Sequence, residues 1–265
     1  MNRLTSRAKS LTLLLLFFLF LTTAVEAQKG KLEYYELKVY KLKDTNQQTI
    51  VDAFLKNAYL PAMHKAGIKN IGVFKPLETD TTFGKHIYVL IPYSSLDQFG
   101  KLADELLADA QFNINGKEYL DAEYTNPPYA RIESTLLRAF TGMKKMETPA
   151  LTGQRSERFY ELRSYEGHTE KIYKNKVKMF NDGDEVGLFK RLGFNAIFYA
   201  EVISGARMPN LMYMTTFENK AARDEHWNTF REDAQWKKLS TMAEYQHNVS
   251  KNVQTYLRPT EYSDY

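Results

Sequence analysis

Two short stretches hold most of the groups in this chain that could do chemistry: Glu36-Leu37-Lys38-Val39-Tyr40 and Glu161-Leu162-Arg163-Ser164-Tyr165. Each spaces a carboxylate, a cation and a phenol two residues apart. In an extended strand all three project from one face. Enclosed in a cavity, such a face could hold a polar ligand or exchange a proton with it. It could equally be a fixed ion-pair network, because unpaired buried charge is costly. Arg138 and Arg258 add cations at matching places, and His86 opens another strand where an acid or base could act. Glu36, Lys38, Tyr40, His86, Arg138, Glu161, Arg163, Tyr165 and Arg258 are therefore the candidate ligand contacts. The catalytic residues, if there are any, are not identified.

Other chemistries lack their signatures. There is no glycine-rich phosphate loop, no dinucleotide fingerprint, no nucleophile elbow and no H-E-x-x-H. The five histidines, His64, His86, His168, His226 and His247, are scattered without metal-ligand spacing, so no metal site is expected. One of them as a haem ligand is a minor alternative, and no cofactor is called for. The acidic turn from Asn181 to Glu185 does not fit the calcium-loop pattern and reads as a plain turn. Asn248-Val249-Ser250 fits a glycosylation sequon. Trp227, Phe230 and Trp236 fall at helical spacing and read as packing.

The first 27 residues have the layout of a signal peptide. Arg3, Arg7 and Lys9 precede an apolar run from Leu11 to Leu21, and Val25 and Ala27 sit ahead of a cleavage point before Gln28. That run is short of the roughly 20 apolar residues of a membrane helix. The expectation is an exported protein, periplasmic or secreted, with no membrane span left after cleavage. There is no cysteine, so stability must come from burial rather than disulfides. The whole chain carries +4 and the processed chain +2. A balance that near neutrality argues against nucleic acid as a partner.

Positioning these groups falls to a duplicated framework. Tyr35-Glu36-Leu37-Lys38-Val39-Tyr40 recurs as Tyr160-Glu161-Leu162-Arg163-Ser164-Tyr165, and Gly67-Ile68-Lys69-Asn70-Ile71 as Gly193-Phe194-Asn195-Ala196-Ile197. Asp109-Ala110-Gln111-Phe112 recurs as Asp233-Ala234-Gln235-Trp236, and Leu137-Arg138 as Leu257-Arg258. Matches in the same order at a nearly constant offset indicate two copies of one module. In the first copy, periodicity predicts strands at 33–41, 70–75, 86–93 and 129–140, with Pro92 marking an edge or a strand end. Helices are predicted over 49–63, kinked or ended near Pro61, and from Ser94 or Ser95. A long loop through Asn113, Asn115 and Asn126 should follow. In the second copy, strands fall at 158–165, 194–202, 210–217 and 252–258, and helices at 168–180, 186–192 and 220–230.

Strand, helix, strand, strand, helix, strand is the ferredoxin-like order. The fold class read from it is α+β: two tandem ferredoxin-like repeats, 28–140 and 158–259, whose antiparallel sheets face each other within one chain. An exposed connector spans 141–157, and a polar, mobile tail spans 260–265. Leu37, Val39 and Leu162 are assigned to the helix-covered face. The charged set is thereby assigned to the barrel interior, with Tyr40 and Tyr165 as cavity walls.

The second half resembles the NIPSNAP family. The resemblance rests on Tyr160 to Tyr165, Leu192-Gly193-Phe194, Asn210 to Met214 with Phe217, Ala222-Arg223, and Asp233 with Trp236. It weakens in the first half, where Lys38 replaces the arginine and Phe112 the tryptophan. It implies the dimeric α/β-barrel superfamily, which includes cofactor-free monooxygenases, haem-degrading enzymes and small-molecule binders. It brings no catalytic residues, and the mitochondrial role of animal members does not fit an exported chain. The leading expectation is binding of a small organic ligand or a protein partner through the barrel, with a homo-oligomer left open. The alternative is a cofactor-independent monooxygenase or isomerase, or a haem-related enzyme, with a tyrosine or His86 as acid or base.

Overall fold

The computed structural model describes residues 30–265; the leader read over residues 1–27 lies outside them. The first repeat runs β1 (Tyr34–Lys41), α1 (Thr45–Phe54), α2 (Leu60–Lys65), β2 (Gly72–Pro76), β3 (His86–Tyr93), α3 (Leu96–Ala108), α4 (Ala110–Asn115), α5 (Lys117–Leu120) and β4 (Arg131–Ala139). The second runs β5 (Phe159–Glu166), α6 (Glu170–Asn181), α7 (Glu185–Arg191), β6 (Phe198–Ser204), β7 (Asn210–Phe217), α8 (Lys220–Glu232), α9 (Ala234–Thr241) and β8 (Lys251–Pro259). Each repeat makes one antiparallel sheet, ordered β4-β1-β3-β2 and β8-β5-β7-β6. Antiparallel seams between β2 and β8 and between β4 and β6 close the two sheets into a single barrel. Closure leaves no strand edge unpaired. Pro92 sits beside the last residue of β3, opposite Tyr35 of β1 and past the end of the pairing with β2.

The duplication extends to individual hydrogen bonds. Asp109 accepts from the Gln111 and Phe112 amides at the start of α4, and Asp233 accepts from Gln235 and Trp236 at the start of α9. These are equivalent N-caps. Gly67 and Gly193 both take positive φ, at 82° and 74°, where the chain turns from a helix toward the next strand. A side chain would strain that conformation.

Three expectations are corrected. The loop after α3 is not irregular: Asp109 starts α4, and α5 follows directly. Pro61 neither ends nor breaks its helix. A π-helical turn at Leu55–Tyr59 precedes α2, with Pro61 in the first turn of the resumed α-helix. There its missing amide costs little. The tail is docked: Ser263 and Asp264 side chains accept from the Val73 and Ile71 amides, at 3.0 and 2.7 Å. Tyr265 is 2% exposed and packs on Phe74. Gly72 makes that possible, since a Cβ there would run into the Phe74 ring and approach Tyr265.

Burial divides into three layers. Inside the barrel, one end is filled by Tyr35, Leu37, Phe74, Leu90, Tyr160, Leu162, Phe198, Met214 and Leu257 with Tyr265. Outside it, the helices of the first repeat cover Tyr40, Val73, Ile87, Val89, Ile91 and Tyr93. Those of the second cover Phe159, Tyr199, Leu211, Tyr213 and Phe217. Among the described residues no helix is long and apolar enough to cross a membrane.

Candidate functional site

The charged strand faces do not line the barrel. Tyr35, Leu37 and Val39 on β1, with Tyr160, Leu162 and Ser164 on β5, point inward, while Glu36, Lys38, Tyr40, Glu161, Arg163 and Tyr165 point out beneath the helices. The alternation was read correctly and the two faces were interchanged. The enclosed end of the barrel is the driest volume available, and the purely apolar side chains and large rings fill it. The charged side chains take the outer face because the helices supply partners. Glu161, fully buried, accepts from Arg163 Nε at 2.6 Å, Arg223 Nε at 2.8 Å and Nη2 at 2.9 Å, and Trp227 Nε1 at 2.8 Å. The Arg163 guanidinium lies 3.7 Å from the Trp227 ring centroid, and its Nη1 donates to Tyr165 Oη.

In the first repeat Glu36 accepts from Tyr93 Oη and Ser134 Oγ, and Lys38 donates to Tyr59 Oη. Tyr40 is enclosed by the Tyr119 and Tyr129 rings. Arg138 pairs with Glu201 and Arg258 with Glu78, both also on the outer surface. None of these residues borders a barrel cavity. A signal for this was present in α8, where Arg223 and Trp227 stand four residues apart and offer three N–H groups to one carboxylate.

His86 is the exception. The register pairs Lys41 with His86 but Glu36 with Ile91, so His86 lies on the inward face. There the barrel opens into a cavity of about 290 Å³ at the end opposite Tyr265. Its floor and walls are Leu37, Val39, Leu162, Met212 and Val253, with Tyr88, Thr135, Ser164, Asn210 and Thr255 among them. Lys41 and Glu133 form an ion pair at the rim, and Arg207, on the β6–β7 loop, approaches Glu166 at 3.7 Å. Asn210 and Ser164 are both buried and hydrogen-bonded to each other. Period two would have carried the reasoning from His86 to Tyr88 on the same face, and across the register to Lys41.

The electrostatics of this mouth favour neutral groups. Burial, and next the neighbouring Lys41 cation, hold the His86 imidazole below its ordinary pKa. Burial pushes the Tyr88 phenol up to about 12, with Asp80 adding to the shift and Thr255 opposing it. Near neutral pH the pair is thus a neutral imidazole with a phenol O–H 3.5 Å from its Nδ1. One nitrogen is then free to accept a proton, and the phenol can donate to an oxygen. Among the described residues there is no cluster of metal-ligating side chains.

The remaining candidates are structural. Asn248 of the sequon is buried, with its amide donating to the Glu244 carbonyl. Trp227, Phe230 and Trp236 pack in the outer core of the second repeat.

Residues 160–264, within the second repeat and its tail, match the NIPSNAP family model. No curated protein matches the chain by sequence. Among solved structures, a candidate monooxygenase from Lactobacillus acidophilus NCFM is similar at a TM-score of 0.55 and 11% identity, over 86% of this chain and 94% of that one. A candidate monooxygenase from Fusobacterium nucleatum is similar at 0.56 and 9%, over 86% and 93%. A NIPSNAP family protein from Agrobacterium tumefaciens C58 aligns with 40% of this chain and 97% of its own, at 20% identity and a TM-score of 0.36. The fold is that of the dimeric α/β barrels, closed here by two repeats in one chain.

Proposed function

We propose that the open end of the barrel binds a small organic molecule with an apolar body and one ionisable or enolisable oxygen. The observation that carries this reading is the cavity itself, a pocket of about 290 Å³ with an aliphatic floor and polar side chains around its walls, among which His86, Tyr88 and Lys41 stand together. That size is at the small end for ligand sites. The body would lie on Leu37, Val39, Leu162, Met212 and Val253. The oxygen would face Tyr88, His86 and Lys41.

A second reading follows from the His86–Tyr88 pair. The free imidazole nitrogen takes a proton from the ligand's O–H or from the carbon beside its carbonyl. The electron pair moves onto the oxygen, where the Tyr88 hydroxyl and the Lys41 charge stabilise it. The product is an enolate or phenolate, an electron-rich species able to react with dioxygen. The names of the structural neighbours agree with such chemistry, though at 9–11% identity they speak to the fold alone.

The test is a thermal-shift and calorimetric screen of hydroxylated aromatic acids and enolisable ketones against isosteres lacking the oxygen. Val39→Trp, which fills the cavity, is the control. The expected result is a rise in Tm for oxygen-bearing compounds that is lost in the variant. No shift across the panel, or an equal shift with Val39→Trp, would remove the mouth as a binding site. Proton exchange on a bound ketone, followed by deuterium incorporation, tests the second reading. His86→Gln should slow it about 100-fold or more while affinity changes little.

A further inference from the structure

Across the barrel mouth from His86 and Tyr88 stands an arginine whose donors have no acceptor. Arg207 lines the cavity from the β6–β7 loop. In the closed strand order β7 lies four places from β3, so this loop springs from the wall facing the imidazole and the phenol. Gly205 seats the loop, since a Cβ there would press on the Thr135 side chain at 3.1 Å, and the glycine lets the chain lie against β4. Arg207 itself holds φ at 62°, a left-handed conformation disfavoured for a residue with a Cβ. The loop thus carries its one charged side chain over the opening rather than away from it.

Among the described residues the guanidinium donates no hydrogen bond. Its nearest carboxylate is Glu166, two residues past Ser164 on the inward face of β5, at 3.7 Å. That contact holds the cation by charge and leaves its N–H groups unused. The Glu166 oxygen concerned is enclosed and cannot itself meet a ligand. Lys41, by contrast, is matched by Glu133. The rim as a whole is positive. Arg131 and Lys251, two residues before Glu133 and Val253, share their inward faces, are exposed, and lie opposite Lys41 and Glu166 in the register. Lys41, Arg131, Arg207 and Lys251 therefore stand against Glu133 and Glu166, while Asp80 and Lys85, which also act on His86, offset each other. Such a rim draws anions toward the opening.

On the reading of the mouth as a ligand site, on which this rests, we infer that Arg207 receives a carboxylate, so that the class bound is a hydroxy or oxo carboxylic acid held at two points across the barrel. The carboxylate takes parallel N–H donors from the guanidinium fork. The hydroxyl or carbonyl oxygen faces His86, Tyr88 and Lys41, and the body lies on the aliphatic floor between the two. Burial raises the pKa of the Tyr88 phenol, and the Arg207 charge is among the groups opposing that rise. The two side chains are thus close enough for one small molecule to span them.

The test is calorimetry with 4-hydroxybenzoate, 4-hydroxybenzamide and 4-methylphenol. The acid is expected to bind about 10- to 100-fold tighter than the other two, the range of charge-assisted hydrogen bonds. Arg207→Gln should bring the acid level with them and leave 4-methylphenol unchanged. Arg207→Lys, which keeps the charge but not the fork, should fall between. Arg207→Gly, which relieves the left-handed backbone, should lose the preference with an unchanged or raised Tm, so that the loss is not one of folding. Arg131→Gln and Lys251→Gln should each keep most of the preference. If either abolishes it as fully as Arg207→Gln, the field of the rim selects the acid and the inference falls. The neutral phenols binding the parent chain but not Val39→Trp, with the acid no tighter, would overturn it and leave the mouth as a ligand site. No binding by any of these compounds would remove the mouth as a site and this inference with it.

Discussion

Glu161→Gln should be among the most damaging conservative substitutions in this protein. The carboxylate is fully buried and takes four N–H donors, three of them from the guanidinium groups of Arg163 and Arg223. Glutamine keeps one oxygen but turns an NH2 toward donors, leaving both cations without their common counter-charge. Arg163 is only 7% exposed and cannot recover hydration. Breaking a buried pair in this way costs about 3 to 5 kcal/mol. For a chain of this length that corresponds to a fall in Tm of about 6 to 20 °C. Glu36→Gln is the internal control. Its carboxylate accepts from two neutral hydroxyls, and Lys38 stands 3.7 Å away and partly in solvent. About 1 kcal/mol is expected there, the net worth of an ordinary hydrogen bond. Urea unfolding of both variants, read by near-ultraviolet circular dichroism, makes the comparison. Equal costs at the two positions, or a loss under about 1 kcal/mol for Glu161→Gln, would refute the assignment of Glu161 as the centre of a buried network.

Other outcomes follow from the same structure. The pKa of His86 is lower in the folded chain than in the unfolded one, so the unfolded chain binds the extra proton first as pH falls. Stability should therefore decline from about the ordinary histidine pKa of 6.5 downward, and His86→Asn should flatten that part of the pH–stability curve. Tyr265→Phe should be neutral or stabilising, because its hydroxyl is buried without a partner. Tyr265→Ala, by contrast, should cost about 3 kcal/mol or more, as measured by denaturant unfolding. Asp233→Ala should speed amide exchange at Gln235 and Trp236, the two groups it caps, and leave Gln111 and Phe112 of the first repeat unaffected.

The framework was readable because it is local and written twice. Caps, turns and period-two strands are set within a few residues of sequence, and Asp109 and Asp233 show that even single hydrogen bonds repeat. Which face of β1 and β5 turns inward is a different kind of fact. Both faces carry tyrosines and both become buried, so period two cannot distinguish a barrel interior from a helix-covered exterior. The choice depends on long-range partners: Arg223 and Trp227 from α8 for Glu161, and Tyr59, Tyr93 and Ser134 for the Glu36 side. The docked tail was equally out of reach, since six polar-looking residues reveal nothing of the space left at Gly72.

The mouth of the barrel is where the two copies have diverged. Lys41, His86, Tyr88 and Glu133 come from the first repeat, and their counterparts in the second are Glu166, Asn210, Met212 and Val253. The cavity is thus symmetric in backbone but not in chemistry: β3 offers an imidazole and a phenol where β7 offers an amide and a thioether. The NIPSNAP match falls on the repeat that supplies the less reactive wall. If the His86–Tyr88 pair confers selectivity for the ligand's oxygen, the double substitution His86→Asn and Tyr88→Met should remove it by giving β3 the residues that β7 carries at those places, without disturbing Val39, Leu162 or Val253. Calorimetry should then find oxygen-bearing ligands and their hydrocarbon isosteres bound equally well. Retained preference for the oxygen would mean that Lys41, Asn210, Ser164 or Arg207 selects it, and would remove the His86–Tyr88 pair as the selecting group.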